Sequence, residues 1–230
     1  MKGILIVTGV IFLFFSYASA QDKVVVIPLF EAESTSSAPP APVEKTGQTI
    51  CYDQYGMVVD CPGNSGQDGD LQKGVAWPNP RFTDNLNGTV TDNLTGLIWL
   101  KNANCPGPRT WADALADVTQ LSTQGTMNNN DCGDTSNGGS HQTDWRLPNL
   151  RELQSLVHYG MHNPTVPNTA GTGQWSEGYP FTGVQSANYW TSTTVTGDAS
   201  YAWAVSMFWG NPYYREKTSL PYVWPVRAGN

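Results

Sequence analysis

The residues of this chain that could do chemistry are four cysteines, two histidines four positions apart, an Asp/Asn-rich loop and a late cluster of aromatic rings. His158 and His162 have the spacing that puts two imidazoles on one helical face, as in zinc peptidases. That chemistry also needs a glutamate beside the first histidine as general base. Here the neighbour is Tyr159, and Gly160 ends the helix between the two rings. His158 therefore reads as a residue near a helix C-terminus, where it favours the dipole. The segment Thr83 to Leu94 is rich enough in Asp and Asn to invite a calcium-loop reading. With Gly88 at the sixth position of such a loop, Thr83 falls first and Leu94 twelfth, where acids are required. No metal is expected at either place.

The four cysteines allow three connectivities. Cys51 and Cys61 flank a segment with Gly56 in its middle, which reads as a hairpin stapled at its base. That leaves Cys105 with Cys132, closing the helical segment between them. No CxxC pair occurs, and the spacings fit no zinc pattern. No Ser-His-Asp arrangement or close acid pair is legible, so neither an enzyme nor a cofactor is expected.

The ring cluster is different in kind. Phe208-Trp209-Gly210-Asn211-Pro212-Tyr213-Tyr214-Arg215 sets four aromatics around Gly and Pro. Turn formers place such a segment at a surface, where the rings cannot all be buried. Trp and Tyr offer flat faces for sugar rings or peptide, polar tips for hydrogen bonds, and little rotamer entropy to lose. Trp209, Tyr213, Tyr214 and Arg215 are the expected contact face, with Tyr201 and Asn211 beside them. The competing reading is a hairpin whose rings pack on the domain or on a sister subunit.

The elements that must hold these residues follow from pattern. Arg81 to Asp84 and Thr89 to Asp92 flank Asn87-Gly88, a signal for a type I′ hairpin turn with positive φ at both central residues. Thr95-Gly96 then leads into a buried strand, Leu97 to Leu100. Thr110 caps a first helix, along which Trp111, Ala114, Leu115, Val118 and Leu121 recur at helical spacing. Asn149, with Glu152 three residues on, caps a second helix whose apolar face is Leu150, Leu153, Leu156 and Val157. Asn163 to Gln185 reads as a surface loop. Strands are expected over Asn188 to Thr194, Ala199 to Trp209 and Pro221 to Arg227. Trp99, Trp145, Trp190 and Trp203 are expected in the core. Arg146 and Arg227 are expected to be satisfied by carbonyls or carboxylates. Strands, two helices and strands again make an α+β domain with helices on one side of an antiparallel sheet.

Bulk properties set the compartment and exclude partners. Lys2, the apolar run Ile4 to Phe15 and Ala18-Ser19-Ala20 read as a cleavable signal peptide over residues 1–20. The run is too short for a comfortable membrane span, and no later segment is apolar enough. Residues 21–45 read as a short β-type run, Lys23 to Phe30, followed by a Pro/Ser/Ala-rich linker. The folded domain is expected over 46–230. Loss of residues 1–20 removes one lysine and no acid, leaving 11 basic against 19 acidic residues and a net charge of −8. That charge argues against nucleic acid, whose binders need a basic face. Only 13% of residues are charged, half the usual quarter. Such a domain is held by aromatic packing more than by ion pairs. Export implies an oxidising compartment, which suits the two disulfides.

Several blocks resemble a known family. Phe82-Thr83-Asp84 with Asn87 to Asp92 and Thr95 to Trp99 is one. Asp144-Trp145-Arg146-Leu147-Pro148-Asn149 with Glu152-Leu153 is a second. Tyr189 to Thr193, Ala202 to Val205 and Tyr222 to Arg227 form a third. In this order they resemble the Lcl C-terminal-domain family, the adhesive head of a bacterial collagen-like protein together with exported relatives. The resemblance implies a C-type-lectin-like fold, related to the formylglycine-generating sulfatase modifier and to retroelement-diversified binding proteins. It implies adhesion, including binding of sulfated glycans, a homotrimeric form, and ligand contacts between the last strands. This chain departs from the family in lacking a collagen repeat and in being acidic, which weighs against sulfated polymers. The sulfatase-modifier chemistry needs reactive thiols late in the domain, whereas the last cysteine here is Cys132. The expected function is a secreted, periplasmic or cell-surface module that binds a glycan or a surface protein. A structural subunit of an envelope assembly is the alternative.

Overall fold

The computed structural model describes residues 43–61 and 66–228. The expected signal peptide, the β-type run and the linker up to residue 42 lie outside the described residues. The described chain is an α+β domain built mostly from short strands. A hairpin comes first, β1 (Cys51–Tyr52) against β2 (Val58–Val59), closed by the Cys51–Cys61 disulfide. A single helical turn follows, α1 (Asp68–Leu71). Then come β3 (Phe82–Asp84), β4 (Thr89–Asp92) and β5 (Ile98–Leu100). Helix α2 (Trp111–Gln124) leads into a small ribbon of β6 (Thr126–Met127) and β7 (Asn130–Asp131). Helix α3 (Leu150–Gln154) precedes β8 (Asn188–Thr194), β9 (Tyr201–Ser206), β10 (Pro212–Glu216) and β11 (Val226–Arg227).

Two antiparallel sheets organise the body. One runs β11-β5-β4-β3, the other β10-β9-β8. The second sheet sits between two apolar clusters. Tyr189 and Val205 point into the cluster of Phe82, Trp99, Phe181 and Trp224. Trp190, Ala202 and Ala204 point the other way, into a cluster with Val118 and Leu121 of α2 and the Cys105–Cys132 disulfide. The rings meet mostly edge to face: Phe181 on Trp224 at 4.8 Å, Trp99 on Trp224 at 5.8 Å. The buried indoles of Trp190 and Trp224 donate to the carbonyls of Arg109 and Leu100. Ions are few but well placed. Fully buried Arg81 makes two hydrogen bonds to Asp92 at 2.8 Å and a third to the carbonyl of Ser155, tying the first sheet to the end of α3. Arg146 grips Glu152 through two hydrogen bonds, and Arg227 lies 3.7 Å from Asp144.

Most expected elements form where pattern put them, but the strand expected over Pro221 to Arg227 shortens to Val226–Arg227, and other differences follow. The β3–β4 turn is wider than a two-residue type I′ turn. Asn85 bonds back to Thr89, and Leu86 and Gly88 carry the positive φ, not Asn87. Asn87 instead accepts from the amide and hydroxyl of Thr89. Helix α3 ends at Gln154, short of Val157: the amides of Leu156 and Val157 bond three residues back, to Leu153 and Gln154, and the amide of His158 then leaves for the carbonyl of Thr165. The 163–185 segment is not simply a surface loop: Thr165, Val166 and Phe181 are fully buried. Trp203 is half-buried, not core. Finally, the carbonyl of Val43 and the amide of Lys45, placed in the linker by composition, bond to Val75.

Candidate functional site

The late ring cluster resolves into a turn and a strand. Residues 207–211 make the turn between β9 and β10. Ser206 builds it: its hydroxyl accepts from the amides of Phe208 and Trp209, its carbonyl accepts from Gly210, and its amide donates to the carbonyl of Asn211. Gly210 has φ +82°, and a Cβ there would meet Val157 Cγ1 at 2.5 Å, so only glycine lets the turn settle on the body. The Tyr159 hydroxyl donates to the Gly210 carbonyl at 3.3 Å. The turn is thus held from below while Trp209 projects outward, 62% exposed.

The next five residues form β10, an edge strand paired with β9 and exposed along its whole length. The sequence showed a turn-rich surface here and not a strand. Strand alternation divides the candidate residues between two faces. Tyr213 and Arg215 pair with Ala204 and Ala202 on one face. There the Arg215 guanidinium lies 5.4 Å from the Tyr213 ring centre. With Phe208, Trp209, Ser206 and residues 186–188 they line a concavity of about 460 Å³. Tyr214 pairs with Trp203 and points to the opposite face, where its ring meets Tyr201 and Trp203 edge-on at 5.6 and 6.2 Å. Tyr201 approaches Glu216 at 3.4 Å, and that carboxylate pushes the phenol pKa above its ordinary value. Asn211 is half-buried and serves the turn through its backbone. Its Oδ1 is buried and meets no hydrogen-bond partner among the described residues. The structure therefore brings Trp209, Tyr213 and Arg215 together, and sets Tyr201 and Tyr214 apart from them. Phe208 belongs with the first group, and Ser186 to Asn188 form the far wall. Small polar residues on a loop carry no pattern, so that wall was not legible.

The histidines take roles unlike those expected. His158 is buried outside any helix, with its Nδ1 accepting from the amide of Gly160 and its ring edge-on to Trp77 at 4.8 Å. Burial holds its pKa below the ordinary histidine value, and the Arg81 charge acts the same way. It does not act as a cation on a helix terminus. His162 instead lies nearly parallel to Trp209, 6.2 Å between ring centres. In the Asp/Asn-rich loop the carboxylates are committed to cations: Asp84 to Lys101 at 2.7 Å, Asp92 to Arg81.

An α+β domain with two disulfides and an exposed aromatic turn at its last strands is the class of protein these features define. The profile of the Lcl C-terminal domain matches residues 88–227, and the chain belongs to that family. Comparison with curated proteins found no match. The β1–β2 hairpin and its disulfide precede the matched region.

Proposed function

We propose that this chain is an exported binding module, not an enzyme, with a C-type-lectin-like fold and a ligand face formed by Trp209, Tyr213 and Arg215. The observation that carries this is the exposed Trp209 ring, fixed on a pinned turn at the edge of a concavity that Tyr213 and Arg215 share. A rigid exposed indole beside a guanidinium loses little entropy on contact and gains stacking area. Exposed aromatic patches of this kind mark interaction sites. The ligand class is a glycan or a surface protein. The two disulfides and the N-terminal sequence suit an extracellular or periplasmic site. No helix among the described residues is long and apolar enough to cross a membrane.

Glycan and protein arrays probed with the mature chain test this reading. Trp209→Ala should weaken the best binder by about 2 kcal/mol or more and leave thermal stability nearly unchanged. Trp145→Ala is the contrasting change. Its ring is buried, and its Nε1 donates to Asp134 at 2.7 Å, so the truncation should destabilise by roughly 3–5 kcal/mol. A Trp209→Ala protein that unfolds as readily as Trp145→Ala, or that binds like the wild type, defeats the proposal.

A structural subunit is the second reading, and the open edge of β10 favours it. Edge strands with free backbone groups are templates for another chain. Wild-type protein that is silent on arrays yet self-associates through β10 would support that reading over the first.

A further inference from the structure

Trp209 lines a second hollow besides the concavity described above. It holds about 270 Å³ and is walled by Gln48, Tyr52, Tyr159, His162 and Trp209 itself. Its residues come from three stretches of chain: the lead into the β1–β2 hairpin, the loop after α3, and the β9–β10 turn. Tyr52 is 39% and Tyr159 45% exposed, so their rings remain available.

The hollow is held in shape by contacts independent of any ligand. The amide of Tyr159 donates to the Thr46 carbonyl at 2.8 Å. Gly47, at φ +84°, lets the His158 ring occupy the space where a Cβ would stand, 2.5 Å from Nε2. The Cys51–Cys61 disulfide closes the hairpin that carries Tyr52. The Gln67 side chain brackets the Tyr52 backbone, accepting from its amide at 3.0 Å and donating to its carbonyl at 2.9 Å. Tyr159 reaches across to the Gly210 carbonyl and couples the loop to the turn.

We propose that this hollow is a second subsite, and that the two subsites together bind an extended neutral oligosaccharide running past Trp209. The proposal rests on the aromatic face being a binding site. An apolar cavity of roughly 150 Å³ accommodates benzene, so each hollow has room for a sugar-sized ring or two. Neither alone holds a long ligand, and both are lined by Trp209. The walls match a sugar's two chemistries. Ring faces of Tyr52, Tyr159, Trp209 and Tyr213 suit the C–H face of a pyranose. Side-chain amides and hydroxyls of Gln48, Asn188, Ser186 and Ser206 suit its hydroxyl edge. Arg215 is the one permanently charged side chain in either lining. A single cation on a chain of net charge −7 does not fit a polyanion.

The test uses the mature chain and ladders of neutral gluco-, manno- and chito-oligosaccharides, from one to six rings, titrated in solution. Affinity should rise with length in at least one ladder. Tyr52→Ala, whose ring makes no contact with the β9–β10 turn bonds described above, should weaken the longest oligomer by about tenfold and leave the shortest binder unchanged. Tyr52→Phe should restore binding, because stacking needs the ring and not the hydroxyl. Trp209→Ala should weaken every length. If Trp209→Ala weakens binding while Tyr52→Ala binds all lengths like the wild type, the second subsite is wrong and the first face stands. If Tyr52→Ala weakens all lengths equally, its role is structural and the subsite is again wrong. If no ladder binds but a protein ligand does, in a Trp209-dependent way, the oligosaccharide is wrong. If Trp209→Ala changes nothing, the parent reading falls with it.

Discussion

His158 shows how far a residue's role depends on what the chain does after it. Two imidazoles at helical spacing were visible in the sequence, as was the missing glutamate. What could not be seen was that the backbone leaves the helix at Gln154 and buries the first ring between Trp77 and Gly47. Arg81 is a second case, since a single basic residue in a strand gives no sign that it will be fully buried against Asp92. The state of His158 has a consequence for stability. The unfolded side chain takes up a proton near pH 6.5, whereas burial makes the folded one resist it. Between those two pKa values the unfolded chain holds the extra proton. The stabilising contribution is therefore complete above about pH 6.5 and is lost as the pH falls toward the folded value. Glu44, whose pKa is raised by burial, acts in the opposite sense at lower pH. The urea midpoint should accordingly be lower at pH 5.5 than at pH 7.5, and His158→Gln should shrink that difference. An equal difference in wild type and variant would assign the effect to other groups.

Elements were legible where a local signal coincided with tertiary packing. Helix α2 starts at the expected Thr110 cap, whose side chain accepts from the Asp113 amide, and it stops at Gly125 in the left-handed region. The capping box at Asn149 also forms in full. Its side chain accepts from the amides of Arg151 and Glu152, while Glu152 returns to the Asn149 amide. The misses share a cause. Strand β10 has all five residues exposed, so no alternation of polar and apolar residues announces it; its existence depends on pairing with β9. The β3–β4 turn was misread because Gly88 answers to a distant segment: a Cβ there would meet the Gly133 carbonyl at 1.8 Å. The aromatic face was legible as a segment, but its division into two faces required the register of β10. One substitution measures how much a local signal is worth here. Asn149→Ala removes two accepted hydrogen bonds at the start of a five-residue helix whose Glu152 also holds Arg146. It should lower stability by about 1 kcal/mol, the usual value of a cap, in urea unfolding. Asn149→Asp should retain most of it, because the carboxylate accepts the same amides. Equal losses in both variants would mean that the site depends on something other than capping.

At the scale of the whole molecule, the described chain before the first hairpin is tied to the body by backbone bonds. Composition put the boundary at Thr46, since Pro, Ser and Ala give way there to a mixed sequence. Hydrogen bonding puts it earlier. Val43 and Lys45 exchange backbone bonds with Val75, the Lys45 carbonyl accepts from the Trp77 indole, and the Thr46 carbonyl accepts from Tyr159. Three residues of apparent linker, Val43 to Lys45, together with Thr46, thus join the region around Trp77 to the loop after α3. No helix or strand period runs through them, so no pattern could mark them. Two truncations separate these boundaries. A chain beginning at Val43 should melt with the mature protein, because it keeps every bond just named. A chain beginning at Gln48 leaves the Trp77 Nε1 and the amides of Val75 and Tyr159 without their partners. Each partly buried donor stranded in this way costs on the order of 1 kcal/mol or more. Water replaces the partner wherever it has access. The expected loss for the shorter chain is about 1–3 kcal/mol, read as a lower urea midpoint with little change in slope. Proteolysis gives an independent readout, with cleavage of the mature chain expected between Glu31 and Pro42 and a resistant fragment that retains Val43. A resistant fragment that begins beyond Gly47, with the stability of the longer one, would show that Val43 to Lys45 are linker after all. It would also remove one of the supports for the hollow beside Tyr52.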